Sequence, residues 1–250
     1  MKICIVGGGS AGWMAATTFN NLLNCEKITL IESPTTAKSG VGESTLQSII
    51  KWINLVDIDV EEILRETGGS LKHSIKFTNF LNKNSGSFHY PFGNVPTMDP
   101  QVAWGCIMDG MFSHNKYAEY INPIASLAEK GKIDVTSFKS LHFDAIKFAN
   151  YLKENHCEEV EHVSADVVNF EESEKGIESL ELDNGLTITA DLFVDCTGFS
   201  SLLLGKYLKE PFISFNDILP NDSAWATQVP YTDKEKELVP YTECTAIENG

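Results

Sequence analysis

The sequence predicts an α/β fold built on a parallel sheet that opens with a dinucleotide-type turn. Three observations predict it. The apolar run Ile3-Cys4-Ile5-Val6 leads directly into Gly7-Gly8-Gly9-Ser10-Ala11-Gly12, with Gly7, Gly9 and Gly12 on the G-x-G-x-x-G positions. Glu32 ends a second apolar run, Ile28-Thr29-Leu30-Ile31, twenty residues after Gly12. From Glu159 onward the pattern turns to short strands and closes on the buried-type run Asp191-Leu192-Phe193-Val194-Asp195. Each part of the first motif has a physical task. Gly7 permits a tight strand-to-helix turn, and Gly9 lets the backbone approach a pyrophosphate. Gly12 lets the helix pack on the sheet, while Ser10 and Ala11 sit at a helix N-terminus whose amides and dipole favour an anion. Glu32 is placed to accept hydrogen bonds from a ribose diol.

Taken in order, residues 2–6 read as the first strand, 11–23 as the helix and 27–32 as the second strand. Ser33 to Glu43 carries Pro34, Gly40 and Gly42 and reads as a loop. Leu46 to Leu55 has helical spacing, and Asp57 to Glu66 reads as a short acidic helix. Leu71 to Phe80 alternates, with Leu71, Ile75 and Phe77 on one face and Lys72, Ser74, Lys76 and Thr78 on the other, the pattern of one strand with a polar face. Asn82 to Pro100, rich in Gly, Asn and Pro, reads as a long irregular loop of a length usually tied to function. Met108 to Lys130 reads as helix interrupted at Pro123, and Phe143 to Asn155 as an amphipathic helix. Val160–Val163, Val167–Phe170, Ile177–Leu182 and Leu186–Ala190 read as strands, with Asp183-Asn184-Gly185 as a turn. A βαβ start, a mixed insert, a helix, a β-meander and an apolar strand follow the order of large FAD-binding domains. A nicotinamide-type Rossmann domain would continue with regular βα units instead.

The 250 residues carry 35 acidic against 19 basic side chains, a net charge of −16. That balance repels phosphate backbones and speaks against nucleic-acid binding. No run approaches the ~20 apolar residues of a membrane helix, so no membrane association is expected. The glycine motif begins close to Met1, leaving no room for a signal peptide, and the expected location is cytoplasmic. The six cysteines show no C-x-x-C and no paired His/Cys spacing, which reads as buried, reduced thiols rather than a disulfide or metal framework. The histidines show no ligand spacing, so no metal is assigned. Gly8-Gly9-Ser10-Ala11-Gly12 matches G-x-S-x-G in form, but Ser10 lies in the phosphate loop, so a serine-hydrolase reading fails.

Several separated segments resemble the flavin-dependent halogenases of the tryptophan halogenase type. Gly7-Gly8-Gly9-Ser10-Ala11-Gly12-Trp13-Met14-Ala15-Ala16 is similar to that family's opening, and Gly40-Val41-Gly42-Glu43-Ser44-Thr45 to its G-V-G-E-[AS]-T segment. Leu71-Lys72-His73-Ser74-Ile75-Lys76-Phe77 resembles the strand that carries the essential lysine, with Lys72 on the lysine's position. His142-Phe143-Asp144-Ala145 resembles the H-F-D-A helix, and Asp195-Cys196-Thr197-Gly198-Phe199 the second FAD-contacting segment. Trp225 to Tyr231 and Pro240-Tyr241-Thr242 match in kind.

The resemblance implies a GR2-type FAD-binding Rossmann-like fold with a β-meander and an inserted substrate layer. Residues 1–60 and 140–205 would form the cofactor core and about 65–140 the insert towards the substrate side. It further implies FAD, reduced by a separate flavin reductase, and a halide as co-substrate. Hypohalous acid would be passed to a small, electron-rich aromatic substrate beside a lysine, here Lys72. A homodimer is compatible with it. The family's W-x-W-x-I-P motif is expected directly after Ala246-Ile247-Glu248-Asn249-Gly250, so the chain reads as the N-terminal half of a longer enzyme, lacking the C-terminal helical part and poorly active alone. A flavin-dependent monooxygenase and a non-catalytic FAD-binding fragment are the alternative readings.

The residue types leave bland readings beside these roles. Lys72 could be a solvated lysine on a polar strand face, as could Lys76. Gly40, Val41, Gly42 and Glu43 would lie at the flavin, with Glu43 orienting backbone there. Alternatively the segment is a helix cap, since Ser44 and Thr45 precede a helix. Asp195, at a strand end, would meet the ribityl or pyrophosphate region, because burial rarely leaves such a carboxylate unpaired. Gly198 would let backbone approach the cofactor. His142 and Trp13 read as packing residues.

Overall fold

The computed structural model describes residues 1–36, 42–93, 98–174 and 176–247. Gly40 and Val41 lie outside the described residues. The chain divides into two units: Met1–Val41 with Val56–Thr67 and Asp144–Ala224, and Gly42–Leu55 with Gly68–Phe143 and Trp225–Gly250.

The first unit is layered around a four-stranded parallel sheet in the order Leu192–Asp195, Lys2–Val6, Lys27–Glu32, Glu161–Ser164. The first two apolar runs in the sequence therefore lie at its centre, buried on both faces as parallel strands require. Because side chains alternate along a strand, the two faces take different partners. Cys4, Val6 and Ile31 pack with Ala165, Leu180, Leu182 and Leu203, which brings in the antiparallel meander Val167–Ser173, Gly176–Leu182 and Thr187–Thr189. The meander's tight turn carries Gly185 at φ +84°, as the Asp-Asn-Gly signal predicts. Ile3, Ile5 and Leu30 point the other way, towards the helix Ser10–Leu22. That helix packs on Ala145–His156, which also contacts Val60–Thr67. Polar links tie the helical layer together: Tyr151 donates to Glu62 Oε2 at 3.0 Å, and Thr17 Oγ1 lies 3.3 Å from Cys157 Sγ.

The second unit holds two small sheets. One runs Gly42–Ser44, Ser140–Asp144, Ser70–Lys72, and the other Tyr241–Thr245, Ser74–Thr78, Ser87–Pro91. The alternating stretch from Leu71 is thus two strands in two sheets, not one. The break is at His73: its N–H donates to Pro240 O, its carbonyl accepts from Phe92 N, and its Nε2 accepts from Asp134 N. All three bonds lead away from the line of a single strand. The stretch from Asn82 is likewise not wholly a loop. Ser87–Pro91 pairs antiparallel with Ser74–Thr78, with His89 buried between exposed Phe88 and Tyr90. The expected helix from Met108 instead begins earlier, at Pro100, where Asp99 accepts from Gln101 N and Val102 N, and ends at Met108 before Gly110 at φ +73°. Two short helices follow, Tyr117–Ile121 and Pro123–Glu129. Phe143, expected in a helix, lies in the strand Ser140–Asp144; Asp144 then caps the helix by accepting from Lys147 N. The six cysteines are free thiols, Cys4 and Cys157 buried and the other four half-buried.

Phe148 is wholly buried on the helix Ala145–His156. Phe148→Ala is expected to cost about 3–5 kcal/mol of unfolding free energy through lost burial and a residual cavity, read as a fall in the denaturant midpoint at unchanged slope.

Candidate functional site

In the first unit, the segments singled out in the sequence meet at the C-terminal ends of adjacent parallel strands. Val6 and Asp195 are register partners, so the glycine turn and the loop after Asp195 leave the sheet side by side. Three of the glycines have no space for a side chain. A Cβ on Gly7, whose φ is +117°, would lie 2.2 Å from the Cys196 carbonyl oxygen, and one on Gly12 would lie 1.8 Å from the Gly7 carbonyl oxygen. A Cβ on Gly8 would lie 2.3 Å from Glu32 Cδ. Gly8 was not singled out from the sequence; the uninterrupted Gly7-Gly8-Gly9 run is the signal that carries it. Gly9 differs, since a Cβ there meets nothing within 4 Å.

Gly9 also begins the helix without a side-chain cap, and the first turn holds no acidic residue. Ser10 turns its hydroxyl away, donating to Ala145 O at 3.3 Å, while Gly9 and Ala11 are exposed. The first-turn amides and the positive helix end therefore face open space across a backbone free of side chains. These residues fit the phosphates of a dinucleotide such as FAD.

The two carboxylates that the sequence singles out in this unit, Glu32 and Asp195, are already engaged. Glu32 is buried, and its Oε2 lies 2.8 Å from His162 Nε2. Asp195 Oδ1 accepts from the Thr197 hydroxyl and N–H, and Oδ2 from Leu203 N and Leu204 N. Burial alone would raise the Asp195 pKa, but these bonds outweigh it and hold the group below the usual carboxylate range. Asp195 thereby fixes the turn that presents Gly198, which has φ +61° and open space at its Cβ position.

In the second unit, Lys72 is 1% exposed. The solvated-lysine reading therefore fails for it, whereas Lys76 forms an ion pair with Glu129 at 2.9 Å. Lys72 Nζ donates to Ser44 Oγ at 2.7 Å and to Thr45 O at 2.9 Å, and lies 5.2 Å from the Phe92 ring centroid. Among the described residues no carboxylate pairs with it. Burial pulls its pKa down from 10.5 to about 8, with Cys244 acting in the opposite direction. Thr45 is held in place on the neighbouring strand: Leu141 N donates to its hydroxyl, and the Ser140 hydroxyl donates to its carbonyl. Ser44 and Thr45 are not helix caps, since Ser44 ends a strand and the helix begins at Ser48. Gly42 and Glu43 are exposed on that same strand. Ser44 Oγ also bonds Thr242 Oγ1, which lies 3.1 Å from His142 Nε2. Sequence reasoning missed Ser44, Thr242 and the contact of His142, although all three sit inside segments it had marked.

A lysine whose pKa falls on folding binds fewer protons folded than unfolded between about 8 and 10.5. The contribution of Lys72 to stability is therefore expected to rise with pH across that window, by on the order of 3 kcal/mol, and to lose this gain as pH falls through 8, while Cys4, whose thiol burial pushes up to about 12, opposes it from 9 upward. Lys72→Met should abolish the rise, as followed by urea unfolding at a series of pH values.

The family model described as tryptophan halogenase matches residues 2–250. The chain is 34% identical to the tryptophan 6-halogenase ThaL of Streptomyces albogriseolus, over 99% of this chain and 52% of the relative. It is equally similar, at 34%, to the tryptophan 7-halogenase RebH of Lentzea aerocolonigenes, over 100% of this chain and 52% of the relative. Among solved structures, VirX1 in its apo form superposes with a TM-score of 0.91 at 35% identity, over 100% of this chain and 52% of that one. The tryptophan 6-halogenase SttH of Streptomyces toxytricini gives 0.86 at 29%, over 99% and 53%. The chain spans about half the length of the curated relatives it matches. By its matched residues, its fold and its glycine turn, the chain belongs to the tryptophan halogenase family.

Proposed function

We propose that this chain is the FAD-binding and lysine-bearing half of a flavin-dependent halogenase acting on an electron-rich, indole-like arene. The observation that carries the reading is Lys72: a buried amine held by a hydroxyl and a carbonyl, with no carboxylate among the described residues to neutralise it. Structural lysines are seldom buried so fully without an anionic partner, because the desolvation of an ammonium costs several kcal/mol.

When bound, reduced FAD supplies, with oxygen and halide, the oxidised halogen that is delivered as hypohalous acid. Residues 1–60 and 140–205 form the cofactor core in this reading, and about 65–140 the substrate-side insert. Gly7, Gly9, Ser10, Ala11 and Gly12 bind the pyrophosphate through backbone amides, and Glu32 serves the ribose. The turn from Asp195 to Gly198 lines a further part of the cofactor. Lys72, as ammonium, donates a hydrogen bond to the oxygen of hypohalous acid. As the arene carbon takes the halogen, the oxygen–halogen bond breaks and the departing hydroxide takes a proton from Lys72 to leave as water. The arenium then loses its ring proton to solvent, and Lys72 regains a proton from solvent. A pKa near 8 suits this task, since the amine is charged at neutral pH yet gives up its proton readily. A separate reductase supplies the reduced flavin.

Two outcomes follow. With reduced FAD, oxygen, bromide and tryptophan, the complete enzyme carrying Lys72→Ala should lose at least about a thousandfold in brominated product while still consuming reduced flavin. Unchanged halogenation would remove Lys72 from the mechanism, and a hydroxylated product independent of halide would favour a monooxygenase. Gly9→Asp fits the open position and adds a helix cap, so the protein should stay folded. Its carboxylate would occupy the anion position, and FAD affinity measured by flavin fluorescence should fall at least about tenfold.

A further inference from the structure

Resting on that reading of Lys72, we propose that Ser44, Thr242 and His142 form a polarised hydrogen-bond chain that positions Lys72 and sets how tightly it holds its proton. The donor inventory of an ammonium fixes the first link, and in the proposed sense each hydroxyl passes its own proton onward. An ammonium has only donors, so Ser44 Oγ must accept from Lys72 Nζ at 2.7 Å. The Ser44 hydroxyl proton is then directed to its other partner, Thr242 Oγ1. The Thr242 hydroxyl proton is directed in turn to His142 Nε2, 3.1 Å away. An imidazole that accepts at Nε2 is neutral and carries its proton on Nδ1.

Each link thus turns a lone pair towards the next donor, and the neutral imidazole is the sink that holds the whole chain in one sense. Its own environment keeps it neutral: burial pulls the His142 pKa down from 6.5 to about 4, and the charge of Lys72 adds to that. Among the described residues, the other titratable group that acts on Lys72 is Cys244. The three members come from different strands, Gly42–Ser44, Ser140–Asp144 and Tyr241–Thr245, so no local sequence pattern accounts for their meeting. A merely structural hydroxyl pair would work equally well in either sense. A chain anchored on one ammonium and on an imidazole protonated at Nδ1 does not.

Removing the sink frees the Ser44 hydroxyl to turn its proton towards Lys72 nitrogen, which favours the neutral amine. The test is the titration of Lys72, read from its Cε NMR shift in lysine-labelled protein and assigned by the signal missing in Lys72→Met. The wild-type midpoint is expected near 8. Thr242→Val and His142→Phe should each lower it by about one pH unit, the worth of a hydrogen bond to a charged group. Thr242→Ser and His142→Gln, which restore an acceptor, should return it. In turnover, the pH profile should move with the midpoint while KM for the arene stays unchanged. An unmoved midpoint in both Thr242→Val and His142→Phe would overturn the chain, whether or not halogenation is observed. Loss of the Lys72 role itself is judged separately, by Lys72→Ala.

Discussion

No side chain fits at three of the four glycines where the first strand becomes the first helix, and the first unit is organised by that constraint. Gly12 sits on the carbonyl of Gly7, Gly7 sits on the carbonyl of Cys196, and Gly8 sits against the Glu32 carboxylate. One short turn thereby fixes the distance of the helix from the sheet, the approach of the loop after Asp195, and the place of the acidic residue on the second strand. The contacts of Gly7 and Gly12 are with backbone, so a single methyl group disturbs them, whereas that of Gly8 is with the Glu32 side chain. The remaining glycine, Gly9, is under no such pressure. Its lack of a side chain leaves the helix end open rather than allowing a close contact.

The second unit rests on a different balance. Burying the Lys72 ammonium is costly, and the return comes from two hydrogen bonds to neutral oxygens and the face of Phe92. Charge-assisted bonds of this kind contribute about 1.5–3 kcal/mol each, and a ring face adds about 0.5–2. The compensation is incomplete, as the lowered pKa shows. A carboxylate in the same place would have closed the gap and locked the proton on nitrogen. Its absence among the described residues keeps the amine responsive to what is brought to it.

Much of the first unit was legible in the sequence because its signals are local. Lys2–Val6, Ser10–Leu22 and Lys27–Glu32 follow directly from runs, glycines and spacing, and the meander follows from alternation and the turn Asp183-Asn184-Gly185. The second unit was less legible because its decisions are made by pairing. Leu71 to Phe80 alternates like one strand, yet the bonds at His73 send its two ends into different sheets. Ser87–Pro91 is a strand because Ser74–Thr78 is there to pair with it, in a stretch whose Gly, Asn and Pro content suggests loop. The position of Lys72 was legible through its motif. Its surroundings were not, since Ser44, Ser140 and Thr242 are ordinary hydroxyl residues until distant strands bring Ser44 to the amine and the other two to the groups around it.

The same division explains which groups remain to meet a ligand. Asp195, the most conspicuous carboxylate at the sheet's C-terminal edge, uses both oxygens to hold its own loop. Glu32 has His162 at one oxygen. The acidic side chains that a motif reading favours thus serve first as internal scaffolding. What stays open is backbone: the uncapped amides after Gly9 and the exposed turn at Gly198. Backbone donors suit a polyphosphate because they carry no charge of their own to desolvate and are already fixed by the helix. The acidic chain, at −16, can therefore hold an anionic cofactor without a cluster of lysines, because local dipoles rather than net charge set the potential at the turn. Lys72 is spared that duty. Its proton is held by neutral oxygens alone, and those can be tuned from Thr242 and His142.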